Sequence, residues 1–186
     1  MINLSEKRLP NTVSVGGSFF TINTDFREWL KFDKLIKQDT FSLADFVFLF
    51  PGDLPLITSE EQVQELIKTL MDFFINPNST PNDVTKKSDD VILDYQQDGE
   101  YIYSAFRQVY GINLLKEDMH WHEFKALIVG LPDNCKLSQI MHARGYRKDE
   151  RKTEQLYEEN KRRWQLPRKK VSDAVIKQLQ EDFYDS

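Results

Sequence analysis

Apolar side chains in this chain return every three or four residues through one segment after another, and prolines and glycines punctuate the segments. Such spacing stacks side chains on one face of an α-helix, so most of the chain must fold as amphipathic helices that pack through those faces. Phe26, Trp29, Leu30, Phe32, Leu35 and Ile36 form the first set. Thr24 stands where an N-cap belongs, with Asp25 and Glu28 in the first turn, where the helix dipole favours negative charge. Stripes this wide predict a buried helix. A second apolar stretch, Leu43 to Phe50, is stopped by Pro51-Gly52, and Pro55 keeps the connection non-helical. Ser59 with Glu60 and Glu61 opens the next helix, whose core face reads Val63, Leu66, Ile67, Leu70, Met71 and Phe74 until Asn76-Pro77 ends it.

Further along, Tyr101, Ile102, Ala105, Phe106, Val109 and Tyr110 give a stripe closed by Gly111, the residue that most easily turns a chain out of a helix. Met119, Trp121, Phe124, Leu127 and Ile128 run into Gly130-Leu131-Pro132. Asp133 is placed to cap a helix bearing Leu137, Ile140 and Met141. Residues 149–165 and 171–184 read as charged, exposed helices separated by Pro167.

One segment departs from the helical pattern. Thr12-Val13-Ser14-Val15 and Ser18-Phe19-Phe20-Thr21-Ile22 flank Gly16-Gly17, and two β-prone runs around a glycine pair predict a hairpin. A phosphate-binding loop would need a Lys-Ser or Lys-Thr after the glycines, which is missing. The fold class expected is therefore mainly α, a helical domain with a small N-terminal β-hairpin. Residues 1–75 hold the hairpin and first helices; 76–90, nearly devoid of apolar side chains and carrying two prolines, read as a flexible linker or loop. Residues 91–167 are expected to be the helical part of the same domain. Residues 168–186 form a C-terminal helix, detached or self-associating through Val171, Val175, Leu179 and Phe183.

With 186 residues the chain can bury a real core, and its single cysteine, Cys135, allows no disulfide within it, which fits a reducing compartment, the cytosol. The stretch Met1 to Pro10 carries Glu6, Lys7 and Arg8 and lacks the apolar centre of a signal peptide. Apolar runs such as Phe46 to Phe50 fall far short of the roughly 18 residues of a membrane span, so the expectation is a protein that is not membrane-embedded. The net charge of −5 argues against general nucleic-acid binding. It is uneven, however: Lys136 to Lys170 hold 12 Lys and Arg against 5 Asp and Glu, which makes that segment +7 and the remainder −12.

Chemistry is sparse. His120 and His122 are two apart, about 200° round a helix, and so do not converge on one metal. Cys135 lacks an activating context, and acidic pairs such as Asp89-Asp90 and Glu158-Glu159 read as solvated. No metal, cofactor or catalytic site is expected. The clusters Lys161-Arg162-Arg163 and Arg168-Lys169-Lys170 bracket Trp164 and could contact phosphates and stack a base, but Glu154, Glu158 and Glu159 dilute them, which favours a helix surface or an acidic protein partner. With 13 Phe, 7 Tyr and 3 Trp, the helical faces are broad enough either to make a private aromatic core or to be shared with a partner.

Three stretches taken together resemble the bacteriophage gp-fifteen family, found in the tail gene modules of phages and prophages of Gram-positive bacteria. They are Leu9-Pro10 through Val15-Gly16-Gly17 and Ile22-Asn23-Thr24-Asp25-Phe26-Arg27-Glu28-Trp29-Leu30; then Asp98, Tyr101 to Phe106, Tyr110-Gly111-Ile112-Asn113-Leu114 and His120-Trp121 through Phe124, Leu127 and Gly130-Leu131-Pro132; then Ile140-Met141 and the basic stretch through Leu166-Pro167. Where the family carries a second aromatic after His-Trp, this chain has His122. The resemblance implies a non-enzymatic tail assembly chaperone in the host cytoplasm, coating the tape-measure protein and recruiting tail-tube subunits. On that view Phe26 and Trp29 of the first helix, or the face of Trp121, Phe124 and Leu127, supply the client groove, with Arg162, Arg163 and Trp164 as further contacts. The alternatives are a nucleic-acid-binding regulator using residues 144–170, or a structural tail-module protein.

Overall fold

The structure is a computed structural model and describes residues 2–38, 40, 42–75, 91–145 and 154–166. The expected linker at 76–90, the carboxylate pair Asp89-Asp90, the start of the 149–165 helix, the cluster Arg168-Lys169-Lys170 and the C-terminal helix lie outside the described residues.

The Gly-Gly hairpin is present. Strands β1 (Thr12–Val15) and β2 (Ser18–Thr21) pair antiparallel with Val15 opposite Ser18. The turn needs positive φ at both central positions, and Gly16 and Gly17 supply it at 58° and 76°. Val13 and Val15 are buried. Helix α1 (Phe26–Ile36) then buries Phe26, Trp29, Phe32 and Ile36. Its N-cap is Asp25 and not Thr24: the Asp25 carboxylate accepts the Arg27 N–H at 2.9 Å, while the Thr24 carbonyl receives the Trp121 N–H at 2.7 Å.

Leu43–Leu49 wind as a 3-10 helix, its start tied by the Ser42 N–H to the Asp45 carboxylate at 2.8 Å. Helix α2 (Glu60–Ile75) opens as the sequence suggests, with the Ser59 hydroxyl accepting the Gln62 N–H at 3.4 Å. Its fully buried stripe is Val63, Leu66, Leu70 and Phe73, so Phe73 takes the central place expected of Phe74, which sits half-buried on the flank. Helix α2 lies on β1, where the Glu65 carboxylate accepts the Gly16 N–H at 2.8 Å and the Thr69 hydroxyl donates to the Ser14 carbonyl at 3.3 Å.

Helix α3 (Gly99–Val109) ends at Gly111, whose φ of 72° lets the chain double back so that the Ile112 N–H reaches the Phe106 carbonyl at 3.2 Å. Helices α4 (Trp121–Val129), α5 (Lys136–Gly145) and α6 (Glu154–Trp164) follow. Asp133 does not cap α5. The Cys135 N–H turns back to the Pro132 carbonyl at 3.0 Å, which carries the helix start past Asp133 and leaves the Cys135 sulfur facing the Ser138 N–H at 3.5 Å.

The described residues divide into two compact units: 2–75 with 118–125, and 91–117 with 126–166. Segment 118–125 belongs with the N-terminal unit because backbone bonds tie it there, Phe26 N–H to the Met119 carbonyl at 2.9 Å and Trp121 N–H to that of Thr24. In the second unit α5 packs with both α3 and α6.

Candidate functional site

The aromatic stripes of the first unit close on one another. Trp29 stacks on Phe73 with centroids 4.6 Å apart and lies 6.4 Å from Trp121; Phe26 stacks on Phe124 at 4.6 Å, and Phe74 on Trp121 at 5.1 Å. Both buried indoles are satisfied, Trp29 donating to the Asn23 carbonyl and Trp121 to that of Phe74, each at 2.9 Å. Phe26, Trp29, Trp121 and Phe124, expected as candidates for a client groove, are interior side chains of the first unit. Leu127 is half-buried.

The basic segment is rearranged as well. Arg144, the proposed start of a phosphate-binding face, is buried and forms a two-pronged ion pair with buried Asp98, at 2.5 and 2.8 Å. It also donates to the Ile92 carbonyl at 3.0 Å and to that of Trp164 at 2.5 Å, so it pins the end of α6. It therefore cannot reach a phosphate. Trp164 is half-buried, edge-on to Tyr101 at 5.7 Å, with the Lys136 ammonium 4.9 Å above its ring. Arg162 and Arg163 are exposed; Arg162 lies 3.8 Å from Glu158 one turn earlier.

His120 and His122 do come together, with ring centroids 5.1 Å apart. The 200° separation applies only when both residues are helical, and His120 precedes α4 in an isolated bridge to Asp25. The ring nitrogen Nδ1 of His120 accepts the His122 N–H at 3.0 Å, which makes His120 the cap of α4. Burial pushes His122 down to about 4, His120 below its ordinary value, and the Lys125 ammonium down to about 8. Beside them Asn23, Thr24, Asp25, Asp118, Met119, His120 and Glu123 line an open cleft of about 360 Å³, and Arg27 bridges Asp25 and Asp118 at 2.8 and 3.2 Å. Among the described residues no group of three His, Cys, Asp or Glu side chains is arranged to hold a metal ion, and no helix is long and apolar enough to cross a membrane.

What reaches the surface is a different apolar set. Phe19 on β2 is 78% exposed, Leu56 82%, Leu115 78% and Val129 81%, and Leu54 is half exposed beside Leu56 in the extended connection after Pro51. The family model described as Bacteriophage Gp15 protein matches residues 5–166 of the chain. The protein belongs to this phage family. No curated protein matches, and no solved structure does. The Gp15 match takes in the hairpin, all six α-helices described above and the Asp98–Arg144 pair. Sequence reasoning missed that pair because its members stand 46 residues apart with no local pattern to join them. It missed the exposed Leu56, Leu115 and Val129 because each lies in a connection or at a helix end, where periodicity is silent.

Proposed function

We propose that this Gp15-family protein is a non-enzymatic phage tail assembly chaperone that acts in the host cytoplasm, binding the tape-measure protein and recruiting tail-tube subunits. The observation that carries the reading is the family match over residues 5–166, taken with the tail-module setting that the resemblance implies. A client-binding role also suits the surface: Leu54 and Leu56 in the first unit, and Leu115 and Val129 in the second, are large apolar side chains kept in water, a state that contact with an apolar client would relieve. The interior aromatics would then hold the scaffold rigid, and the exposed apolar side chains would meet the client.

The test is co-expression with the tape-measure protein using Leu56→Asp and Val129→Asp variants whose circular dichroism matches the parent. At least one should leave markedly less client in the soluble fraction, because a carboxylate placed in an apolar contact is costly. Client solubility that is the same with the parent, with either variant and with no partner at all would dismiss the chaperone reading.

A further inference from the structure

The last carbonyls of a helix have no partner inside it. At the end of α2 these include Phe73 and Phe74, and one turn of α4 serves them: His122 Nε2 donates to Phe73 at 3.0 Å, Trp121 Nε1 to Phe74 at 2.9 Å, and the Lys125 ammonium to Phe74 as well. One of these bonds comes from an imidazole, and a second imidazole, that of His120, stands beside it. Because His120 Nδ1 accepts the His122 N–H, its ring proton sits on Nε2, where it donates to the Pro10 carbonyl at 2.9 Å. His122 spends its ring proton on Phe73, so its buried Nδ1 is bare and, among the described residues, has no hydrogen-bond partner. Each ring is held in its neutral form. A second proton on His120 would face the N–H it now receives; one on His122 would be a buried donor without an acceptor.

We propose that the His120–His122 pair is an acid-sensitive latch: a second proton enters each ring at Nδ1, where it costs His120 the acceptor of the His122 N–H and makes His122 a buried donor without an acceptor, so proton uptake favours the state in which the C-terminal end of α2 has parted from residues 120–125. The surrounding charges set its direction. Lys125, a cation, opposes protonation and is locked to the same α2 end. Glu123 on α4 favours protonation of His120, and Asp25 and Asp118 line the adjoining cleft but are held by Arg27. From α2 the pair meets the Phe73 carbonyl and, stacked at 4.4 Å, the Phe73 ring. Burial is the largest influence and disfavours the charged ring.

In the closed state His122 binds its second proton near pH 4, whereas in the open state it does so at the ordinary value of about 6.5. The open state therefore holds more protons between these values, so closure is complete above about pH 6.5 and weakens as pH falls toward 4. Amide hydrogen exchange on the full chain, corrected for intrinsic rates, tests this. From about pH 7.5 to about pH 5 the opening of the last turn of α2 and the first turn of α4 should rise roughly 30-fold, with α3 and α5 unchanged. The double variant His120→Asn, His122→Gln keeps an acceptor for the residue-122 N–H and a donor for Phe73 but cannot titrate, and its opening should stay flat. An equal rise in that variant, no rise in the parent, or the same rise in α3 and α5 would overturn the latch. Should the variant not fold, imidazole 15N titration of the parent decides: His122 well below the ordinary value supports the latch, and titration near 6.5 overturns it.

Discussion

Among single residues, Arg144 ties several parts of the second unit together. It neutralises buried Asp98, satisfies two backbone carbonyls and fixes the end of α6. Asp98 in turn also accepts the Asp94 N–H at 2.9 Å, so the turn before α3 depends on the same carboxylate. Removing one partner of a buried ion pair strands the other charge, at a cost of about 3–5 kcal/mol, whereas removing both leaves no uncompensated charge. Arg144→Met should therefore lower the stability read from urea unfolding by about that amount, and adding Asp98→Asn should recover part of it. Additive losses from the two substitutions would show that they do not act as a pair. The pairing was not legible beforehand: Asp98 enters the sequence reading only as one residue of the family resemblance, and Arg144 as one member of a basic segment.

At the scale of elements the sequence was far more informative, because helix and hairpin signals are local. The hairpin glycines, the Ser59 start of α2 and the Gly111 end of α3 stand where turn and cap chemistry put them. The misses at Asp25 and Cys135 are one or two residues wide, and each arises where a carbonyl is taken by a distant or turning N–H that no local rule foresees. The hairpin allows a graded test. A Cβ on Gly17 would meet no atom within 4 Å, so substitution there costs only the strain of its φ of 76°, whereas on Gly16 it would also press Gln62 at 2.8 Å. Gly17→Ala should lose about 1 kcal/mol, Gly17→Asn less because asparagine tolerates left-handed backbone, and Gly16→Ala more than either. Equal losses at all three would mean that the turn relaxes into another conformation.

For the molecule as a whole, a stripe on a helix has one spacing whether it faces its own core or another protein, which is why Trp121 and Phe124 could be read either way until their neighbours were known. The same limit hid the assignment of 118–125 to the N-terminal unit, which rests on pairing with Thr24 and Phe26 far earlier in the chain. With the aromatic interior closed, the proposed client binding rests on the exposed apolar side chains. It is tested most directly by co-expressing this protein with a phage tape-measure protein, then measuring mass by size-exclusion chromatography with light scattering. The account predicts a soluble complex holding several copies of this protein per client. An insoluble client beside a free, unbound protein would contradict it.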